Sequence, residues 1–246
     1  MQWHLQSRSI FSILLFFSAP AHAQQVKAPS VARASAEATL SSSIAGTVEA
    51  LPFKEGAAFR AGDVLVLLDC ALLEAEVAVT RAEQMAAQSR RKAIEMLFAR
   101  GGTGRAEVEA AKASSKAAEA KAEIAAVRVK GCTIAAPFDG RVLEYAVNPH
   151  EHVEPAAPVM LIVSSGKPEL EIIAPDTWLR WVAPGMTGQV QFEAALGTHD
   201  VVLAGIAPVV DPVSRTVKLS ARFESKADGV LPGMSGLVIF ESRGRE

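Results

Sequence analysis

The chain has 246 residues and a formal net charge of −2, and half of its residues are apolar while only 6% are aromatic. That length accommodates two or three small cores, and the near-neutral charge argues against a general nucleic-acid binder, which carries a basic excess. Much of the apolar content is alanine, which suits thin, closely packed helices better than a thick core.

Arg8, the apolar run from Ile10 to Ala19 and the small-x-small triplet Ala21-His22-Ala23 have the three-part layout of an export signal over residues 1–23. The apolar run is about ten residues, short of the roughly 20 that cross a bilayer. Gln24, not Cys, follows the expected cut, so no lipid attachment is indicated and an exported, soluble mature protein is expected. Residues 24–40 are small and polar and read as a lead-in, with one strand near Ala36 to Leu40. Three β-runs follow: Ile44 to Val48, Leu51 to Gly56, and Gly62 to Asp69, with Gly46, Gly56 and Gly62-Asp63 as punctuation. The apolar Val64 to Leu68 stretch predicts a strand buried on both faces.

From Ala71 to Ala99 there is neither Gly nor Pro. Leu72, Ala75, Val79, Ala82, Ala86, Ser89, Ala93 and Met96 recur by threes and fours, which predicts that they line a helical seam. The return segment repeats the pattern at Val108, Ala111, Ser115, Ala118, Ala122, Ala125 and Val129. Two such helices joined at Gly101-Gly102-Thr103-Gly104 predict an antiparallel coiled-coil hairpin with arms of about 40 Å. Met96, Leu97 and Phe98 then fall at its tip, either as a contact surface or as mutual caps of the coiled coil. Cys70 precedes the first helix and Cys132 follows the second, and they are the only cysteines. A hairpin brings them together, and an exported protein meets oxidising conditions, so a disulfide at its base is expected.

After the hairpin the first half recurs: Gly46, Val48 and Leu67 reappear 94 residues later as Gly140, Val142 and Leu161. Two half-sheets interrupted by a hairpin that leaves and returns at one point predict a single sandwich. From about residue 166 a second repeat runs, Pro184-Gly-Met-Thr-Gly-Gln-Val-Gln-Phe192 matching Pro232-Gly-Met-Ser-Gly-Leu-Val-Ile-Phe240 after 48 residues. With strand-like runs at Leu170–Ile173, Val201–Ile206 and Val217–Phe223, this region predicts a small antiparallel barrel. His150-Glu151-His152 with Glu154 admits two readings, a solvated turn or a metal-binding loop. No nucleophile triad, phosphate-cradling loop or acid/base pair stands out, and no enzyme activity is expected.

The ordered motifs Gly46-Thr-Val48, Lys54-Glu-Gly56, Gly62-Asp-Val-Leu65 and Ala136-Pro-Phe-Asp-Gly-Arg-Val142, split by the hairpin, resemble the HlyD-type membrane fusion proteins, the periplasmic adaptor subunits of efflux and secretion systems. Asp211-Pro-Val-Ser-Arg-Thr-Val217 and Leu231-Pro-Gly-Met234 resemble the family's barrel. The resemblance covers residues 38–240. It implies a mainly β fold: a split lipoyl-like β-sandwich (41–70 and 131–165), an α-helical hairpin (71–130) and a β-barrel (166–246). Gly46, Gly56, Gly62, Asp63, Pro137, Phe138 and Gly140 would carry the lipoyl-like motif, and Arg215, Pro232, Gly233 and Met234 the barrel motif. It further implies a homo-oligomeric ring, usually of six, linking an inner-membrane transporter of the resistance-nodulation-division (RND) type to an outer-membrane channel. The hairpin tip (Leu97, Phe98, Gly101, Gly104) would dock on the channel. Leu97 keeps the family's tip residue, whereas Ala93 and Gly104 stand where the family has Arg and Ser. A lipoyl carrier presents a Lys on a tight turn; here Leu68-Asp69 runs into Cys70, so no covalently carried cofactor is expected. An adaptor of a type I secretion system, or an exported protein that binds substrate or metal, remains the alternative reading.

Overall fold

The structure, a computed structural model, describes residues 24–193, 197–225, 227 and 229–242. The export signal expected over residues 1–23 lies outside them. In chain order the strands and helices are β1 (Gln24–Arg33), β2 (Glu37–Ser41), β3 (Gly46–Ala50), β4 (Ala58–Phe59), β5 (Val64–Leu68), α1 (Ala71–Ala99), α2 (Arg105–Lys130), β6 (Thr133–Ala135), β7 (Gly140–Tyr145), β8 (His152–Val153) and β9 (Pro158–Ser164). Then come β10 (Glu169–Pro175), a short 3-10 turn at Asp176–Arg180, β11 (Thr187–Phe192), β12 (Thr198–Asp211), β13 (Thr216–Phe223) and β14 (Ser235–Ser242). Ala34–Pro168 forms one compact unit, and the flanking segments form a second. Among the described residues no helix is long and apolar enough to cross a membrane.

The inserted unit holds two four-stranded sheets, ordered β2-β9-β7-β4 and β6-β5-β3-β8. Each sheet mixes strands from before and after the hairpin, so neither half can form a sheet alone. Leu65, Val66, Leu68, Val142, Met160 and Ile162 are buried in the shared core, each full burial of a Leu, Ile or Met contributing about 1.5–3 kcal/mol. The 94-residue repeat becomes symmetry here. Shifting β3, β4 and β5 by that interval lands on β7, β8 and β9, and the same mapping turns one sheet order into the other. Hydrogen bonds obey it as well. Gly56 N–H donates to the Val142 carbonyl and His150 N–H to the Val48 carbonyl, each at 2.8 Å, while Gly62 and Ala156 donate to Ala136 and Ser42. These four positions have left-handed backbone: Gly56 (φ 79°) pairs with His150 (φ 69°), and Gly62 (φ 89°) with Ala156 (φ 67°). Only the first copy fills them with glycine, the residue that carries no Cβ penalty there.

In the hairpin, α2 packs through the positions its sequence periodicity indicates: Val108, Ser115, Ala122 and Ala125 are buried, with Ala111, Ala118 and Val129 half-buried. For α1 the expected seam is corrected by two positions. Leu73, Val77, Thr80, Gln84, Ala87, Arg91 and Ile94 face α2, whereas Leu72, Ala75, Val79, Ala82, Ala86, Ser89, Ala93 and Met96 are all exposed. The true seam carries Thr80, Gln84 and Arg91, so its heptad is hidden from a reading that follows apolarity alone. Opposite Ser115 and the alanines of α2, these side chains have little large apolar surface to displace. Thr80 returns its hydroxyl to the Glu76 carbonyl at 2.9 Å, which satisfies the donor inside its own helix.

The second unit is a closed six-stranded barrel, β1-β10-β13-β12-β11-β14. The lead-in expected over residues 24–40 is corrected in part. Gln24–Arg33 is a full strand that closes the barrel, pairing with β14 along Gln24–Val31 and with β10 along Ser30–Arg33. Its inward positions after Val26 are Ala28, Ser30 and Ala32, small residues that give no hydrophobic alternation, and Ser30 satisfies its buried hydroxyl on the Gly236 carbonyl at 3.0 Å. The 48-residue repeat pairs with itself: Gly188 lies opposite Phe240, Phe192 opposite Gly236, and Val190 opposite Val238 at the centre. A Cβ on Gly188 would stand 2.7 Å from the Phe240 ring, so each glycine accommodates the other copy's phenylalanine. Even the turns match, for Ala183 N–H points to the Met186 sulfur and Leu231 N–H to the Met234 sulfur.

Candidate functional site

The hairpin between the cysteines is the part of the molecule that the β-cores do not require, and its two ends are built differently. At the base, Cys70 is the N-cap residue of α1 and Cys132 follows Gly131, the C-cap of α2. The two form a disulfide with Cα atoms 6.0 Å apart and a sequence separation of 62. Both cysteines are buried in the core of the inserted unit. Next to them the Cys132 carbonyl accepts from Leu68 N–H, and the Thr47 carbonyl accepts from Asp69 N–H, both at 2.8 Å. The sheets and the covalent bridge therefore hold the two helix ends at one place.

At the tip, α1 ends on a turn in which Arg100 and Gly102 donate to the Leu97 carbonyl and Gly101 donates to the Phe98 carbonyl. Gly101 has φ 75°. A Cβ on Gly102 would meet the Leu97 side chain at 2.6 Å, so this glycine lets Leu97 fold over the turn. Thr103 then donates to the Glu107 carboxylate at 2.8 Å and steadies the start of α2. Met96, Leu97 and Phe98 are 59, 46 and 43% exposed. Leu97 caps the turn with part of its surface, while all three still present apolar area to solvent.

The remaining sequence-selected residues hold structure together. Asp63 accepts from Arg60 N–H at 2.7 Å, and its carbonyl accepts from Ala136 N–H, directly before Pro137. Asp139 accepts from Ala61 N–H at 2.8 Å, and Phe138 packs on the core. Gly62 and Gly56 supply left-handed turns; Gly46 opens β3, and Gly140 opens β7 where the Phe59 ring and the Val163 carbonyl leave no room for a Cβ. The two halves thus interlock through their turns. Tyr145 donates to the Phe53 carbonyl, and its phenol titrates above the usual value because burial and the nearby Glu55 carboxylate disfavour the phenolate.

In the barrel, Arg215 has φ 54° at the β12–β13 turn; its carbonyl accepts from Asp176 N–H. Asp211 accepts from Val213 and Ser214 N–H at 2.9 Å, and those backbone bonds hold its carboxyl below the ordinary carboxylate value. Pro232, Gly233 and Met234 form the turn into β14, where Gly233 donates to Ala32 and Ala32 to Met234. His152 lies 3.6 Å from Glu154, both largely exposed, and His150 occupies the left-handed turn position. Among the described residues no three His, Cys, Asp or Glu side chains stand together as a metal site would require. Sequence reasoning missed the exposure of one whole face of α1, although its heptad spacing was visible.

No protein-family model matches the chain. It is similar to the nickel-cobalt-cadmium resistance protein NccB of Alcaligenes xylosoxydans xylosoxydans, at 31% identity over 224 residues, 83% of this chain and 53% of that one. The chain thus spans about half the length of that curated relative. In fold it is similar to a MacA–MexA chimeric protein carrying the α-hairpin domain of Pseudomonas aeruginosa MexA, with TM-score 0.80 and 17% identity over 90% of this chain and 82% of that one. It is also similar to the membrane fusion protein Spr0693 of Streptococcus pneumoniae R6, with TM-score 0.76 and 14% identity over 89% of this chain and all (100%) of that one. The chain thus shares the fold of a membrane fusion protein and of the MacA–MexA chimera, and over 83% of its length it is similar in sequence to a metal-resistance protein.

Proposed function

We propose that the protein is a non-enzymatic periplasmic adaptor that links an inner-membrane RND-type transporter to an outer-membrane channel, as a ring of copies, six being the family's usual number. The observation that carries this reading is the hairpin: about 40 Å of paired helix, covalently closed at its base and apolar at its tip. Such an element spans distance and presents an end. In this reading the two-sheet unit is the lipoyl-like domain of the family, and the barrel meets the transporter. Leu97 and Phe98 are the docking residues of the tip, with Gly101 and Gly104 permitting the turn beneath them. The similarity to a nickel-cobalt-cadmium resistance protein favours divalent metal ions as the cargo of the assembled system, selected by the transporter.

The test is in-cell photo-crosslinking from a probe at Leu97 and a second at Arg215. The expected result is an outer-membrane protein captured from Leu97 and an inner-membrane protein captured from Arg215. Tip probes that capture only inner-membrane proteins would overturn the bridging role.

A further inference from the structure

Beside the turn that leads into β11, the outer face of the barrel carries a groove of about 1040 Å³, the size of sites that hold small molecules. Ile239 on β14 and Gln189 on β11, opposite each other in the sheet, form its floor. Met186 and the half-buried Trp181, whose ring centre lies 5.2 Å from that of Trp178, close it at the end of the 3-10 turn. Asp200 on β12 faces Gln189 and accepts from its side-chain amide at 3.0 Å. Glu224 stands next to Asp200 just past β13, its N–H donating to the Asp200 carbonyl at 3.1 Å. Glu241 lies two residues along β14 from Ile239 and faces Gln25 on β1. Three carboxylates and two primary amides thus line a groove whose floor and end are partly apolar.

Arg180 is the basic residue of the lining, and Lys27 lies across from Ile239 on β1. Among the described residues neither these nor any other cation forms an ion pair with Asp200, Glu224 or Glu241. Asp200 and Glu224 sit side by side on neighbouring segments, a placement in which like charges repel. Asp200 and Glu241 are two strands and two residues apart, about 12 Å at ordinary sheet spacings. A metal ion holds its ligands at about 2.0–2.6 Å and cannot bridge that gap. A chain with a cation at each end can bridge it, its hydrocarbon lying over Ile239 and an ammonium facing the Trp181 ring. We propose that this groove is a binding site for a linear polyamine. One terminal ammonium bonds Glu241 and the other bonds Asp200 and Glu224, while the side-chain oxygens of Gln25 and Gln189 accept from the remaining N–H groups. The site lies wholly within one barrel, so it needs neither a transporter nor a second copy.

The test is isothermal titration of the full chain with spermidine, whose extended length matches the gap between the carboxylates, at constant ionic strength. One molecule should bind per chain, with Kd on the order of 0.1 mM. Putrescine, too short to reach both ends, should bind about tenfold more weakly, and Asp200→Asn or Glu241→Gln should each weaken spermidine by a similar factor. Glu37→Gln, which removes an exposed carboxylate on β2, should leave binding unchanged. Glu224→Gln separates a ligand site from a structural role. It relieves the repulsion with Asp200, so the free protein should resist urea better while gaining less from spermidine. Spermidine displaced by magnesium at equal ionic strength, or weakened as much by Glu37→Gln, would reduce the groove to counterion attraction and overturn the proposal. So would a Lys-rich extended peptide that binds there when spermidine does not, which would make the groove a protein contact.

Discussion

At the scale of single residues, the two copies of the repeat in the inserted unit differ most where the backbone turns left-handed. Gly56 and Gly62 meet that need without a Cβ, whereas His150 and Ala156 meet it at a penalty of roughly 1–2 kcal/mol each. Part of that penalty is offset because glycine loses more chain freedom on folding. Gly56→Ala should therefore lower stability by about 1 kcal/mol, and Ala156→Gly and His150→Gly should each leave it unchanged or raise it by up to about 1 kcal/mol, read by urea unfolding. The histidine variant also separates the two readings of the His150–Glu154 loop: a turn residue can be glycine, whereas a metal ligand cannot be without loss of binding. Asp211 offers a different residue-scale test. Its folded pKa is depressed by the Val213 and Ser214 N–H groups, so its stabilising effect is present above the unfolded carboxylate value and is lost as pH falls through the folded one. Acidification should loosen the β12–β13 turn, and Asp211→Asn should make amide exchange at Ser214 insensitive to pH in that acid range, once intrinsic exchange is corrected for.

At the scale of elements, the hairpin shows where sequence patterning is reliable and where it fails. α2 was legible because its inner positions are the apolar and small ones. α1 was not, because it carries two heptads two residues apart, and the more apolar one faces solvent while Thr80, Gln84 and Arg91 face the partner helix. The distinction is measurable: Val77→Ala should cost about 1–2 kcal/mol, whereas Val79→Ala should change the stability of the monomer by less than about 0.5 kcal/mol. A seam so poor in large side chains also explains why the covalent bridge matters. Closing a loop whose cysteines are separated by 62 in sequence stabilises by roughly 4 kcal/mol in the chain-entropy estimate. Cys70→Ser with Cys132→Ser should lower the unfolding free energy of the inserted unit by up to that amount, and hydrogen exchange should rise first along α1 and α2. Strand β1 was illegible for another reason. Its inner face is Ala28, Ser30 and Ala32, and only closure against β10 and β14 makes it a strand. The residues chosen for the lipoyl-like and barrel motifs were legible as turns, since Gly and Asp announce them, but their roles as mutual hydrogen-bond partners appear only in three dimensions.

At the scale of the whole molecule, the chain is a duplication placed inside a duplication. The barrel repeats a three-strand pattern, β1-β10-β11 matching β12-β13-β14: Gly185 and Leu203 exchange the same pair of backbone bonds around Met186 that Gly233 and Ala32 exchange around Met234. In the second copy, the equivalent of β1 connects to the equivalent of β10 through the short turn Asp211–Arg215. In the first copy the whole of Ala34–Pro168 occupies that connection. Arg33 and Glu169, at its two ends, are paired neighbours in the barrel. A two-residue hairpin turn can join such neighbours. Replacing residues 34–168 by Asn-Gly should therefore leave a barrel that folds alone, unfolds in one cooperative transition and keeps dispersed amide resonances. The excised unit Ala34–Pro168 should fold as well, since its sheets draw all eight strands from within it and its disulfide closes inside it. If instead the shortened chain is molten, with collapsed amide dispersion at low temperature, the barrel depends on the inserted unit and the nested arrangement is one cooperative fold.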